Sequence, residues 1–184
     1  MEEHSKKYFD TSEFVKDFAA MVLFQKIHNI IRKDYMELLD LTERHKVNKT
    51  EFNALYRACL KSLFSLIEAD IFGLNNLDKY QNYTDKDSFE IKFKNTFRQV
   101  CKTWNKNEIG EKYLDTKYCK LKELRKKRDE LIHPKKVEHI HEANESEFDS
   151  LKLVFTDYDS FINELMKDFY IGIELNAKDF LGLK

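Results

Sequence analysis

The chain has 184 residues, 42% hydrophobic, 14% aromatic and 35% charged, with a formal net charge of −1. That length suits one domain with a sizeable core and is short for two, so a single domain over residues 1–184 is expected. The composition argues against a disordered chain, and no stretch nears the roughly eighteen uncharged apolar residues of a membrane span. The charged start MEEHSKKYFD lacks the basic end and apolar run of a secretory leader, so no membrane association and a cytoplasmic location are expected. Cys59, Cys101 and Cys119 are widely spaced and form no CxxC pair, which favours reduced, structural thiols over a disulfide framework or thiolate zinc site.

With four glycines and one proline, the chain offers few helix breaks. Three-to-four spacing predicts a first helix from about Ser12 to Leu41, with an apolar stripe of Leu23, Ile27, Ile30, Ile31, Leu38 and Leu41. After RHKVN, Asn48 and Glu51 are spaced as a cap pair. They open a second helix carrying Tyr56, Leu60, Leu63, Phe64, Ile67 and Ile71 to a stop near Gly73. NNLDKYQNYTDKD reads as a polar loop. A third helix aligns Phe89, Phe93, Phe97, Val100 and Trp104. A fourth, from about Ile109, aligns Leu114, Tyr118, Leu121, Leu124 and Leu131 and stops at His133–Pro134. HEANES is a loop. From Ser146 a fifth helix carries Phe148, Leu151, Phe155, Tyr158, Ile162, Leu165, Phe169 and Ile173, and NAKDFLGLK adds a short terminal turn. Five amphipathic helices without strand alternation or repeats predict an all-α, up-and-down bundle.

Charge is unevenly spread. From Lys120 to Lys136 the bases Lys120, Lys122, Arg125, Lys126, Lys127, Arg128, Lys135 and Lys136 outnumber Glu123, Asp129 and Glu130, whereas acids dominate after Val137. A polyanion would be attracted to the first segment and repelled by the second, although a solvated helix face has the same composition. EHIHE, residues 138–142, supplies metal-ligand residue types in His139, His141, Glu138 and Glu142, but a loop with incidental histidines accounts for it. No Gly-rich phosphate loop, GxSxG elbow or HExxH helix is present, which disfavours a nucleoside triphosphatase, a serine hydrolase and a zinc protease.

The stretch RDELIHP, residues 128–134, sits at the end of the fourth helix. Arg128 follows Leu124 by four and precedes Leu131 by three, so its side chain runs along the apolar stripe. A guanidinium there must pair with an acid, reach water, or line a groove that holds an anion. His133 precedes the proline, which disfavours helical backbone and should swing the imidazole off the helix end. Helix stop, favourable dipole contact and packing over neighbours are the purely structural uses of the same residues.

RDELIH, an arginine, four residues and a histidine at the end of a late helix, resembles the signature of the HEPN superfamily, the higher-eukaryote and prokaryote nucleotide-binding domains. Glu68 in YRACLKSLFSLIEADIFGLNNL resembles the acid that the family's second helix turns toward the motif, with Asp70 the less favoured choice. The resemblance covers most of the chain as architecture and six residues as motif. Many members have a polar residue, often asparagine, after the arginine, where this chain has Asp129.

The resemblance implies a helical bundle, a homodimer that juxtaposes two motif helices, and a metal-independent endoribonuclease that needs no cofactor. In that chemistry the RNA 2′-hydroxyl is the nucleophile. His133 would exchange protons near pH 7 and Arg128 would hold the phosphate. Asp129 or Glu68 would orient these two, while Lys127, Lys135 and Lys136 would attract the backbone. Toxin–antitoxin or antiviral roles, with an antitoxin or nucleotidyltransferase partner, follow from the same resemblance. The alternative is a non-catalytic HEPN-like module whose Arg128 and His133 bind a nucleotide or support a protein interface; a helical interaction domain without a site is the third reading.

Overall fold

Continuous apolar periodicity with few breakers yields helix along most of the described chain. The structure, a computed structural model, describes residues 11–167. Its elements are α1 (Thr11–Arg44), α2 (Lys49–Leu77), α3 (Phe89–Thr103), α4 (Asn107–Thr116), α5 (Tyr118–Ile132) and α6 (Glu145–Met166), with a 3₁₀ turn at Val137–His139. The fold is all-α, with no strand among the described residues. None of the described helices is long and apolar enough to cross a membrane. The expected positions of Phe169 and Ile173 on the last helix, and the terminal turn over NAKDFLGLK, lie outside the described residues.

α2 runs through the middle. Asn48 caps it, its side-chain oxygen accepting from the amides of Thr50 and Glu51 at 3.1 and 3.3 Å. Glu51 does not complete a reciprocal cap; its carboxylate meets His45 Nδ1 at 2.6 Å. The expected stripe of Tyr56, Leu60, Leu63, Phe64, Ile67 and Ile71 is buried throughout. The helix does not stop near Gly73, because the missing side chain serves packing: a Cβ there would come within 2.7 Å of the Phe24 ring on α1.

α1 lies antiparallel along α2 and presents a different face from the one its spacing predicts. Met21, Phe24, His28, Tyr35 and Thr42 are buried, with Ile31 and Leu38 partly so, while Leu23, Ile27, Ile30 and Leu41 remain exposed. Apolar residues occur all round this helix, so polar complementarity decides its rotation. His28 Nδ1 lies 2.9 Å from Asp70 of α2, and the Tyr158 hydroxyl of α6 donates to the same carboxylate at 2.8 Å. Thr42 and Cys59 make a second buried polar contact at 3.1 Å.

The expected fourth helix is two. It breaks at Lys117 (φ −115°, ψ −32°). Tyr113 and Tyr118 are five residues apart, about 140° around one continuous helix, yet both must reach the core. The break turns both rings to Phe93 of α3, at 6.2 and 4.9 Å between centroids. Thr116 assists by donating to the Lys112 carbonyl at 2.6 Å, a bond that competes with regular helix. α3 is tied to α2 by the buried bond from Asn75 Nδ2 to Thr96 Oγ1, 2.6 Å long. α6, capped by Asn144 on the Glu147 amide at 2.9 Å, closes the bundle. It meets α1 through Arg32–Asp159 at 2.7 Å and through Tyr35 against Phe155.

Opposite faces of α2 serve the two sides of the molecule. Cys59, Asp70 and Gly73 meet α1, whereas Phe64 and Glu68 turn toward α3 and α5. The surface of α5 therefore faces away from α1.

Candidate functional site

Leu121, Leu124 and Leu131 bury one side of α5, leaving its charged residues on the other. Pro134 disfavours helical backbone at His133, and the helix ends there with φ −122° and ψ 61°. The His133 amide still donates to the Asp129 carbonyl at 3.0 Å. Beyond the proline, the 3₁₀ turn brings His139 back toward the helix end, where its Nδ1 accepts from the Lys135 amide at 3.2 Å.

These elements bound an open cleft of about 690 Å³. Phe89 and Tyr118 contribute its apolar surface, Lys122, Arg125, Lys126 and Lys135 its positive charge, Glu90, Asp129 and Glu130 its negative charge, and His133 and His139 its two imidazoles. Burial pushes the Tyr118 hydroxyl up to about 12, so it remains protonated at neutral pH. Glu90 is held below the ordinary carboxylate range by hydrogen bonds from Lys94 and Lys122. Lys126, Lys135 and the His133 ring have no ion-pair or side-chain hydrogen-bond partner among the described residues.

The structure distributes the expected site residues as follows. Asp129 and His133 line the cleft together, one helical turn apart. Arg128 does not line it: the guanidinium, 17% exposed, donates to Asp129 at 3.1 Å and to Glu68 at 3.4 Å, and its Nε is buried without a partner. Glu68 stands beside Arg128 but makes its closer contact, 2.6 Å, with Arg125. Asp70 is in the core with His28 and Tyr158, far around α2 from the motif. Lys135 lines the cleft, Lys136 is exposed outside its lining, and Lys127 is tied to Glu147 of α6 at 2.5 Å.

Two residues, Arg125 of the basic run and His139 of EHIHE, line the cleft in roles their sequence context did not assign. Arg125 is the arginine of the cleft. Its guanidinium lies 4.4 Å from the Phe89 ring centre, stacked there while it donates from Nε to Asp129 at 3.0 Å and from Nη1 to Glu68. The i, i+4 spacing of Arg125 and Asp129 signals their pairing on one helix, but not which arginine meets Phe89. His139 had no such signal, because its place depends on the turn after the proline. The EHIHE residues do not converge: His139 faces the cleft, His141 pairs with Glu130 at 3.0 Å, and Glu142 pairs with Lys49 at 2.9 Å.

The cleft can therefore present an imidazole able to exchange a proton, a stacked guanidinium oriented by two carboxylates, and unpaired ammonium groups beside an aromatic surface. That combination suits a phosphodiester with an adjoining base. No protein-family model matches this chain, and no curated protein or solved structure matches it either.

Proposed function

We propose that the protein is a HEPN-like, metal-independent endoribonuclease whose site is the cleft at the end of α5. The observation that carries this reading is the unpartnered imidazole of His133 in the same cleft as Arg125, which Asp129 and Glu68 hold in place. In the proposed step His133 accepts the 2′-hydroxyl proton, the 2′-oxygen bonds to phosphorus, and the bond from phosphorus to the 5′-oxygen breaks. The leaving oxygen takes a proton from the imidazolium or from water. The products are a 2′,3′-cyclic phosphate and a 5′-hydroxyl, and no net water is consumed.

Arg125 would stabilise charge on the phosphorane, with Arg128 fixing Asp129 and Glu68 from behind. This assignment moves the phosphate clamp from Arg128 to Arg125, one helical turn earlier. Lys126 and Lys135 would attract the RNA backbone. Two-fold pairing through the motif ends would extend the strand-binding surface, and the exposed apolar residues Ile132 and Ile140 adjoin the cleft residues His133 and His139 in sequence. An antitoxin or nucleotidyltransferase would be a partner for the same surface, in the cytoplasm.

Purified protein incubated with mixed RNA and a chelator tests the proposal. Fragmentation is expected, with His133→Ala losing it at unchanged helical content and melting temperature, and Arg125→Ala losing it while the protein remains folded by circular dichroism. A second reading, a non-catalytic nucleotide-binding or interaction module, is favoured by the inward pairing of Arg128, which leaves the motif arginine outside the cleft lining. Binding of RNA without fragmentation would select it.

A further inference from the structure

Three histidines stand near the end of α5, and their hydrogen bonds separate their uses. His141 is occupied by Glu130. His133 has neither ring nitrogen engaged among the described residues. His139 is different again: its Nδ1 meets the backbone amide of Lys135 at 3.2 Å. A backbone N–H can only donate, so Nδ1 must be the accepting nitrogen and the neutral ring must carry its proton on Nε2. That Nε2–H has no partner among the described residues, and the residue lines the cleft.

A neutral imidazole held in this tautomer has no free lone pair with which to take a proton from substrate. It is a fixed hydrogen-bond donor. We infer that His139 binds a non-bridging oxygen of the phosphodiester through Nε2–H, leaving proton exchange to His133 alone. This rests on the cleft's being the nucleic-acid site proposed above, but concerns binding and is separable from cutting. The fit is chemical. A phosphate offers acceptors only, and the nearby cations Arg125 and Lys135 supply charge while His139 supplies a directed neutral donor. The 3₁₀ turn that places His139 is itself set by the Ile140 amide bonding the Val137 carbonyl at 2.8 Å, so the donor is oriented by backbone as well as by the Lys135 amide.

The experiment uses a single-stranded oligodeoxynucleotide, which lacks the 2′-hydroxyl and cannot be cut by the proposed route, with binding read by fluorescence anisotropy. His139→Ala is expected to weaken binding about tenfold, the loss of one directed hydrogen bond. His139→Gln, whose amide can place an N–H near the position of Nε2, should recover to within about twofold of wild type. Ring ¹⁵N spectra should show His139 protonated on Nε2 in the neutral form. Wild-type affinity in His139→Ala, a Gln variant as weak as the Ala variant, a ring protonated on Nδ1, or a wild-type protein that binds no strand would each overturn the assignment. Intact binding that depends on His139, with no cutting of an RNA strand, would sustain it while removing the nuclease; cutting of RNA with His139→Ala binding normally would do the reverse.

Discussion

Replacing Asp70 tests what sets the rotation of α1. The carboxylate is 1% exposed, accepts from Tyr158 at 2.8 Å and bonds His28 Nδ1 at 2.9 Å, and both partners are buried. Asp70→Ala leaves two buried polar groups without a partner, each worth about 1–3 kcal/mol, and breaking a buried pair from one side costs about 3–5 kcal/mol in all. Asp70→Asn keeps one accepting oxygen and should cost about 1–2 kcal/mol at neutral pH. Urea unfolding at constant m would read both as shifts of the midpoint. The pH dependence has a definite sign. Burial raises the Asp70 carboxyl above its ordinary value, opposed by its bonds to His28 and Tyr158. The folded state then keeps the proton to higher pH than the unfolded chain, so stability falls as pH rises from the unfolded value, about 3.9, through the folded one. The wild-type advantage over Asp70→Asn should be largest in acid and shrink toward neutrality. An Ala variant within about 1 kcal/mol of wild type, or an advantage that widens with pH, would refute the argument.

Other perturbations follow from the same contacts. At Gly110 a Cβ would stand 2.7 Å from Cys101 Sγ and 3.1 Å from its Cβ, so overpacking of about 1–3 kcal/mol should outweigh the helix-propensity gain of about 1 kcal/mol. Gly110→Ala should therefore lower Tm by a few degrees, and a raised Tm would contradict this. Burial pushes the thiols of Cys59 and Cys101 up to about 11 and about 12, whereas Cys119 is exposed. Iodoacetamide at mildly alkaline pH should label Cys119 alone in native protein by mass spectrometry, and rapid labelling at a second cysteine would count against the packing. Lys127 is already neutralised by Glu147, while Lys135 is not paired. Lys135→Ala should reduce the salt slope of RNA binding by about one and Lys127→Ala should leave it unchanged; equal slopes for the two variants would oppose the assignment.

How much of this was legible in the sequence differed by element. The core face of α2 and the cap at Asn48 follow from periodicity and short-range side-chain bonds, so local spacing suffices for them. The face of α1 does not, because its apolar residues are spread around the helix and the choice falls to the His28–Asp70 contact, 42 residues apart in sequence. The break at Lys117 is likewise tertiary in origin, since Phe93 must be present before two tyrosines compete to pack against it. At the site, the stop at His133 was readable from Pro134. Which arginine lines the cleft was not, because Arg125 and Arg128 share the same acids and only the position of Phe89 on α3 gives Arg125 its stacking surface. His139 required the path of the chain after the proline, which no helical periodicity encodes.

The proposed chemistry meets its most direct test in a deoxy strand carrying one ribonucleotide, incubated with the protein in excess chelator and analysed for the ends produced. Cleavage is expected only after the ribonucleotide, leaving a 2′,3′-cyclic phosphate and a 5′-hydroxyl, with the rate falling about 10²- to 10⁴-fold in His133→Ala. Cutting at deoxy linkages, 5′-phosphate ends, or a wild-type rate in His133→Ala would contradict it.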